Sequence, residues 1–379
     1  MTTWRCVRLE AHTVSLPLRW RFRHASATRR HNLAVVMVLH TTGGIGFGEV
    51  LPRTYVTGES VAGVLTDLKD IWWPRLKDLS LSSERPPFEE LAPLSALAHT
   101  TRRTAGFGGI DIALFDAWAK AGQVPGSRML GGLAKDTVPL TATIGMGAPS
   151  ALLAKAYQKL GFAALKVKVG DAHDIARVES VRRAAPVLPL TADANGAWDE
   201  VTAKLKQEQL ARLGVSALEE PLGKRDAAAW RRLKDVANLP LVADETVCTL
   251  DDALALASPR GADVWNLRLG KIGGFSGLRA MLQLAQKHDV VWRLGTLVGE
   301  TSILAMAQRA ALQLGTPSAA EFGFQRLLGT SAFAMAAGQP PLPWIEPVLS
   351  GLGEAHGLGV NVDPAVLSRY AAGPVVVLS

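Results

Sequence analysis

Short apolar runs, each ending in charged residues, recur at nearly constant intervals along the middle of the chain. The runs occupy residues 164–168, 189–193, 216–220, 241–245 and 264–268. The charged ends of these runs are Lys168, Asp193, Glu219, Asp244 and Arg268, and successive ends are 25, 26, 25 and 24 positions apart. A short apolar run without alternation is typical of a strand that is buried on both faces of a parallel sheet.

Helical patterns fill the intervals between these runs, for example at residues 201–213 and 227–236. An interval of about 25 residues accommodates one strand, one loop and one covering helix, so the pattern predicts repeated βα units. Such units close into a barrel or spread as an open sheet, and in both folds the reacting groups lie at the carboxyl ends of the strands. Charged ends on successive strands are therefore expected to converge.

The pattern predicts further units on either side of this stretch. Strands are predicted at 138–144, 290–294 and 319–321, and helices at 150–160, 274–287 and 302–314. Eight units between about residues 137 and 335 predict an α/β fold with a (β/α)8-type barrel whose last unit is modified.

The first part of the chain has a different pattern, which predicts an antiparallel meander followed by helices. Strands are expected at 3–16, 32–41 and 45–50, helices at 60–73, 87–98 and 106–121, and a glycine-rich linker at 122–135. The predicted domains are an N-terminal α+β domain at 1–125, a barrel at 126–345 and a C-terminal segment at 346–379 that returns to the first domain.

Three of the charged strand ends are carboxylates, namely Asp193, Glu219 and Asp244. Three carboxylates around one point repel each other unless a cation lies between them, and oxygen ligands favour Mg²⁺ or Mn²⁺. The alternative is that each carboxylate caps the helix after its strand, or that Asp193 belongs to a plain turn. The even spacing favours the metal site.

Lys166 and Lys168 lie two positions apart on one predicted strand, so both side chains point the same way. Two neighbouring amines disfavour each other's protonation, which leaves one neutral amine available as a base. A base beside a cation suits removal of a proton α to a carboxylate through an enediolate intermediate. The alternatives are two surface lysines or a Schiff-base lysine.

Two segments of the N-terminal domain are candidates for substrate binding. Arginines alternate with aromatic residues at Arg19, Arg21 and Arg23, and this segment is interpreted either as an exposed basic edge or as a loop that binds a carboxylate. The polar segment at 52–59, which contains Tyr55, is predicted to be a surface loop.

Composition narrows the class of protein. Of the 379 residues, 48% are hydrophobic and 20% are charged, which indicates a globular chain. The net charge is +7, but lysines and arginines are spread along the chain without a nucleic-acid-binding motif, so no nucleic-acid partner is expected. Two cysteines, no apolar signal segment and no run long enough to span a membrane favour a cytoplasmic protein without a membrane partner.

The strand-end motifs resemble those of the enolase superfamily, most closely the muconate-lactonizing-enzyme subgroup of the mandelate racemase and muconate lactonizing enzyme family. The resemblance covers nearly the whole chain and implies that the N-terminal domain and the C-terminal segment form a capping domain. The matching motifs are Lys166-Val167-Lys168, Asp193-Ala194-Asn195, Glu219-Glu220-Pro221, Ala243-Asp244-Glu245 and Asn266-Leu267-Arg268.

The resemblance implies a role for each matching residue. Asp193, Glu219 and Asp244 are expected to bind Mg²⁺, with Mn²⁺ as the alternative ion, while Lys168 is the expected base and Lys166 tunes it. The substrate is expected to be a small carboxylate, and superfamily relatives are often homo-oligomers. The residues expected to contact the substrate are Arg19, Arg21, His24, Tyr55, Asn195, Glu245, Glu300 and Glu321.

Two positions depart from the family pattern. A second catalytic lysine is expected on the sixth strand, but Arg268 stands there, and arginine is a poor base because it stays protonated. Three interpretations remain open: Arg268 stabilises an anion during one-base chemistry by Lys168, Lys271 acts as the second base, or the chain binds Mg²⁺ and a carboxylate without turnover. The eighth strand has Glu321 where dipeptide epimerases carry an Asp-x-Asp pair, which is nearer to the cycloisomerase pattern.

Overall fold

An antiparallel sheet and a parallel sheet organise the computed structural model of the chain. The structure describes residues 3–25, 27–132, 137–223, 225–322, 328, 334–335 and 346–379. The antiparallel sheet contains the N-terminal strands, and the parallel sheet contains the repeated βα units. The α/β fold class with an α+β cap is therefore confirmed.

The antiparallel sheet has the strand order β16-β1-β2-β3, and β4 pairs with the first three residues of β1. Its strands are β1 Thr3–His24, β2 Ala27–Thr41, β3 Ile45–Val50, β4 Ser80–Ser82 and β16 Val376–Leu378. Leu378 of the last strand lies opposite Leu9, so the C-terminal segment does return to the first domain. The numerical boundaries proposed for the domains stay predictions.

Of the two interpretations of residues 19–24, the structure agrees with an extended edge and not with a loop, because β1 continues to His24 and pairs with the beginning of β2. Phe22 lies opposite Arg29, and the pairing register shifts between Pro17 and Phe22. Alternation of arginine with aromatic residues has the period of a strand, and a partner strand was available to extend the hairpin.

Helices of the cap cover the antiparallel sheet. They are α1 Val61–Asp67, α2 Trp73–Leu76, α3 Phe88–Thr100 and α4 Thr104–Ala121, with a π-helical turn at Leu68–Trp72. Strand β3 lies directly on α4, where a Cβ at Gly48 would overlap the carbonyl oxygen of Gly109. This close approach requires glycine and buries nearly all of α4.

The parallel sheet has the strand order β12-β11-β10-β9-β8-β7-β6 among the described residues. Its strands are β6 Thr141–Ile144, β7 Ala164–Lys168, β8 Leu190–Asp193, β9 Ala217–Glu219, β10 Leu241–Ala243, β11 Val264–Leu267 and β12 Val291–Leu294. Ala320 forms parallel bridges with both Leu140 and Leu294. The chain therefore closes the barrel at the predicted eighth strand, although with a bridge instead of a full strand.

The predicted strand at 138–144 is divided in the structure. Strand β5, Thr137–Pro139, pairs antiparallel with β14, Val348–Ser350, and only β6 joins the barrel. Pro139 has no amide hydrogen to donate, which favours a break in pairing at that point.

Helices follow the barrel strands close to their predicted positions. They are α5 Ser150–Lys159, α6 Asp174–Ala184, α7 Glu200–Arg212, α8 Ala227–Lys234, α9 Leu250–Ala257, α10 Leu269–Ile272, α11 Gly274–Lys287 and α12 Ser302–Ala311. The remaining elements are a 3₁₀ turn at Gly126–Arg128, β13 Ala334–Met335, β15 Val360–Asn361 and α13 Pro364–Arg369. None of the helices in the described part of the chain is long and apolar enough to cross a membrane.

Buried carboxylates of the cap hold the barrel helices at their N-termini. Asp111 of α4 accepts hydrogen bonds from the backbone N–H groups of Phe275 (2.5 Å) and Ser276 (3.2 Å) at the start of α11. Glu49 of β3 accepts from the backbone N–H of Thr301 at 3.0 Å, just before α12. Burial raises the pKa of both carboxyl groups to about 7. These contacts fix the cap against the barrel.

We predict that Asp111→Ala lowers the free energy of unfolding by about 2 to 4 kcal/mol, since it leaves buried donors of α11 without partners. Urea unfolding followed by circular dichroism measures the change. Asp70→Ala, at an exposed position of the same domain, is the control. Equal stability of the two variants would contradict the structural role of Asp111.

Candidate active site

The charged ends of the barrel strands lie side by side because the strands are parallel and in register. Lys168 at the end of β7 pairs with Asp193 at the end of β8, and Asp193 pairs with Glu219 at the end of β9. Asp244 follows β10 directly, and Arg268 follows β11. The expected convergence of charged side chains at the barrel mouth is thus present.

Shared hydrogen-bond donors connect the three carboxylates. The ammonium nitrogen of Lys166 lies 3.3 Å from Asp193 Oδ2 and 3.0 Å from Glu219 Oε1. The amide of Asn266 donates to Glu219 Oε1 at 3.0 Å and to Asp244 Oδ2 at 3.2 Å. Asp193, Glu219 and Asp244 are fully buried. The three carboxylates are therefore linked to one another through Lys166 and Asn266 at the end of the barrel.

Other cationic side chains contact the same carboxylates. Lys168 Nζ donates to Asp193 Oδ2 at 2.5 Å. The Arg268 guanidinium pairs with Asp244 and lies 3.5 Å from Glu245 Oε1. Lys271 Nζ lies 2.9 Å from Asp244 Oδ1. Cationic side chains from β7, from the end of β11 and from α10 therefore offset part of the negative charge at the strand ends.

Acidic groups outnumber cations at this end of the barrel, and the pKa values reflect this excess. Burial and the neighbouring charges of Glu220 and Asp193 raise the pKa of Glu245 to about 8, and burial raises that of Glu220 to about 7. The pKa of Asp193 is lowered although burial opposes this, because Lys168 and Lys166 lie next to it. The electrostatics of this site therefore depend on the surrounding carboxylates as well as on Lys166 and Lys168.

The environment of Lys166 differs from the sequence-based expectation. Burial lowers the pKa of Lys166, but the charges of Glu219, Glu321 and Asp193 outweigh burial, and the net shift is upward. Lys166 also pairs with Glu321. Proximity of a second amine is thus less important than the surrounding carboxylates, and Lys166 remains a cation.

Turns after the strands position the acids. Asn195 and Glu220 have left-handed backbone conformations, with φ values of 43° and 39°. The side chain of Glu220 accepts a hydrogen bond from the backbone N–H of Asp244 at 2.7 Å, which fixes the start of the next loop. Asn195 Nδ2 donates to Glu245 Oε1 at 3.1 Å. Residues in the left-handed region are uncommon outside glycine and concentrate at functional sites.

A cavity that is partly open to solvent lies over these strand ends. The cap contributes Arg29, Arg53 and Tyr55 to the cavity wall. The barrel contributes Thr143, Lys166, Lys168, Asn195, Glu245, Arg268, Thr296, Leu297, Val298 and Glu321.

Some residues predicted to contact the substrate lie elsewhere. Arg19 and Arg21 are on an exposed part of β1 and are not among the described residues that line the cavity. Glu300 is buried, accepts from Gln308 Nε2 at 3.2 Å and has a pKa raised to about 8 by burial. The side chain of His24 lies outside the described residues. Roles of these four residues in binding stay predictions.

Sequence analysis did not identify Arg29 and Arg53 as cavity residues. Arg29 lies on β2, opposite Phe22, so the hairpin extension turned it toward the cavity side of the cap. Arg53 follows Pro52 in the polar segment that also contains Tyr55. The predicted loop at 52–59 contained the signal for Arg53, whereas the wrong strand boundaries hid Arg29.

Three carboxylates at the strand ends are ligands of the kind that divalent cations bind. Asp193, Glu219 and Asp244 supply hard oxygen atoms, and Glu219 Oε2 is buried without a hydrogen-bond partner among the described residues. In the described conformation the carboxylates face lysine and arginine side chains, and no three His, Cys, Asp or Glu side chains of the described residues already surround one point. The residue types and their common location nevertheless suit a cation.

Residues 150–366 match the model of a family described as enolase C-terminal domain-like. This match covers more than half of the chain, so the chain belongs to that family and to the enolase superfamily. Within the superfamily it is an isomerase-type enzyme of the muconate lactonizing enzyme and mandelate racemase family. The reaction itself is not fixed by this assignment.

The relatives include epimerases and cycloisomerases. The L-Ala-D/L-Glu epimerase of Bacillus subtilis is 31% identical over 316 residues, which cover 80% of this chain and 84% of the relative. A muconate lactonizing enzyme from Pseudomonas fluorescens, complexed with muconolactone, has a TM-score of 0.83 and 25% identity over 97% of this chain and 99% of that chain. A dipeptide epimerase from Enterococcus faecalis, complexed with Mg and L-Leu-L-Tyr, has a TM-score of 0.80 and 27% identity over 94% and 99% of the two chains.

We predict that Lys166→Met lowers the free energy of unfolding at neutral pH by about 3 to 5 kcal/mol in EDTA, because it leaves buried carboxylates uncompensated. Chemical denaturation measures this change without reference to activity. Lys204→Met, on an exposed face of α7, is the control. A Lys166→Met variant as stable as the control would show that the other cations suffice.

Proposed function

We propose that this chain is a Mg²⁺-dependent enzyme that removes the proton α to the carboxylate of a small substrate, with Lys168 as the base. One observation carries the proposal: Lys168 lines the cavity while its ammonium nitrogen lies 2.5 Å from Asp193, beside the two other buried carboxylates. The proposed base and the proposed cation ligands therefore lie next to the cavity, which supports the proposal.

Asp193, Glu219 and Asp244 would hold the Mg²⁺ ion, and Mn²⁺ is the alternative. The free Glu219 Oε2 and the relative that is complexed with Mg support this assignment. Bound there, Mg²⁺ would neutralise the second negative charge that develops on a substrate carboxylate when the α-proton leaves. Asn266 would keep two of the carboxylates in place through its amide.

Lys166 and Lys168 both line the cavity, and Lys168 is the proposed base because Lys166 is paired with three carboxylates. The pKa of Lys166 is raised by Glu219, Glu321 and Asp193, although burial acts in the opposite direction, so this side chain serves as a fixed positive charge. A fixed positive charge next to the base favours the anionic form of the substrate.

Arg268 is the proposed electrostatic partner opposite the base. Arg268 lines the cavity, whereas Lys271 is fully buried and is not among the described lining residues. Lys271 also donates a hydrogen bond to the backbone oxygen of Asp244, and this contact holds the Lys271 amine in the protein interior. This arrangement supports one-base chemistry, such as a cycloisomerisation or a syn elimination, over racemisation by two bases.

The proposed substrate is a small carboxylate that is held between the cap and the barrel. Among the residues expected to contact it, Tyr55, Asn195, Glu245 and Glu321 line the cavity. The relatives act on or bind dipeptides and muconolactone, according to their names. The pairing of Glu321 with Lys166 supports a substrate other than a dipeptide, because this acid already has a cationic partner.

We predict Mg²⁺-dependent exchange of the substrate α-proton in D₂O, measured by NMR on a panel of N-acylamino acids, dipeptides and small diacids. Lys168→Ala is expected to slow exchange by about 10²- to 10⁴-fold, which is the typical contribution of a general base. Lys204→Ala is the control for loss of a lysine elsewhere.

The stereochemical outcome tests the role of Arg268. Exchange with retained configuration is expected for a single base, whereas racemisation in D₂O would contradict one-base chemistry. Ligand binding without exchange across the panel would contradict proton abstraction itself. Exchange gained only in Arg268→Lys would show that the natural chain lacks its second base.

We predict that Asn266→Ala weakens Mg²⁺ binding by about 10- to 100-fold, because the Asn266 amide donates hydrogen bonds to Glu219 and Asp244 and so orients both carboxylates. Isothermal titration calorimetry with Mg²⁺ measures affinity independently of turnover. Asn238→Ala, at an exposed position, is the control. Unchanged affinity in Asn266→Ala would contradict the assignment of Glu219 and Asp244 as ligands.

A further inference from the structure

We propose that Arg29 and Arg53 form a second anion-binding subsite, so that the substrate is a dianion with one acid group beside Lys168 and another beneath the cap. The inference rests on the proposed function for the first acid group and names the class of substrate. It starts from two guanidinium groups that line the same cavity as the barrel residues.

Arg53 is held rigidly at the cavity wall. Its side chain donates to the backbone oxygens of Leu33 (3.1 Å) and Pro52 (2.9 Å), and it contacts the side-chain oxygen of Asn32. Asn32 in turn donates to the backbone oxygen of Gly299 at 2.7 Å, on a barrel loop. The guanidinium is therefore preorganised, with little conformational freedom to lose when an anion binds.

Arg29 completes the pair through Tyr55. Arg29 Nη2 donates to the Tyr55 hydroxyl at 2.6 Å, and its guanidinium carbon lies 5.2 Å from the centre of the Tyr55 ring. An arginine that contacts an aromatic ring can still bind a planar acid group through its remaining donors. Arg29 thus supplies a guanidinium group, and Arg53 a fixed positive charge, on the cap side of the cavity.

The charge of this pair is not balanced by an ion pair. Neither Arg29 nor Arg53 lies within ion-pair distance of an Asp or Glu side chain in the part of the chain that the structure describes. The negative charge of Glu49 favours the charged form of Arg53 and raises its pKa. The Glu49 carboxyl group itself accepts a hydrogen bond from Thr301. Burial and the charge of Arg29 lower the pKa of Arg53 to about 10, which leaves it charged at neutral pH.

An anion from the substrate is the group that fits this place. Two neighbouring like charges, one of them buried, are unfavourable until an opposite charge binds. A carboxylate accepts hydrogen bonds from arginine in a planar, bidentate geometry. The same cavity is lined by the strand ends and by the cap, so one small molecule in it can contact both. Short dicarboxylates, including N-acyl derivatives of acidic amino acids, have this chemistry.

The test compares acids with their isosteric amides. N-acetylglutamate and N-acetylglutamine have the same shape and the same α-proton, and they differ in the distal charge; glutarate and glutaramate form a second pair. Binding is measured by calorimetry in the presence of Mg²⁺, and α-proton exchange by NMR. The wild-type chain is expected to favour the acid of each pair by about tenfold or more, as for one charged hydrogen-bonded contact.

Arg29→Gln is the decisive variant because Arg29 is only half-buried, and Arg30→Gln, at the exposed neighbouring position, is the control. Arg29→Gln is expected to reduce the preference for acid over amide by about ten- to hundredfold, with partial recovery in Arg29→Lys. Arg30→Gln is expected to keep the wild-type preference. Thermal unfolding confirms that the variants are folded.

The outcomes separate this proposal from the proposed reaction. Equal binding of acid and amide by the wild-type chain, or an acid preference that survives Arg29→Gln, overturns the anion subsite. Acid-selective binding that Arg29→Gln abolishes, without proton exchange, supports the subsite and contradicts proton abstraction. Acid-selective exchange that depends on both Lys168 and Arg29 supports both.

Discussion

Burial of many carboxylates at the ends of neighbouring parallel strands is the constraint on which the rest of the site depends. In-register pairing of β7, β8 and β9 brings Lys168, Asp193 and Glu219 to adjacent positions. Buried acids at this distance cannot all remain ionised without positive charge between them. Lysine and arginine side chains offset part of this charge, and burial, together with neighbouring acids, still raises the pKa values of Glu220 and Glu245. In the proposed function, a divalent cation held by Asp193, Glu219 and Asp244 would supply the missing charge.

The cap covers the ends of the barrel strands and partly encloses the charged site. Its acids Asp111 and Glu49 bind the first backbone N–H groups of barrel helices, where negative charge is favourable. Anchored in this way, β2 and the segment after β3 bring cationic side chains over the cavity. The cavity therefore has arginines on its cap wall and both acids and cations on its barrel wall.

Spacing along the sequence predicted most of the fold, since a βα unit has a nearly fixed length and its buried strand has a recognisable composition. The helix at 274–287 was predicted with its observed bounds, and Lys168, Asp193, Glu219 and Asp244 were predicted to meet. Contacts between distant segments were harder to predict. Arg29 reaches the cavity only because β1 and β2 extend beyond their apolar parts, and no local pattern encodes that extension. Protonation of Lys166 depends on Glu321, which is distant in sequence.

The contrast between Arg268 and Lys271 shows why position matters more than residue type at the sixth strand. Arg268 has an extended backbone at the end of β11, from which its side chain reaches the cavity wall. Lys271 lies one helical turn later, in α10, and its buried amine is tied to the backbone of Asp244. Burial lowers the pKa of Lys271 to about 8, so its chemistry resembles that of a base, but it has no path to the substrate in this arrangement. In the proposed function, Arg268 would therefore contact the substrate as a cation. Arginine can hold an anion but is a poor base, so proton transfer would be confined to Lys168.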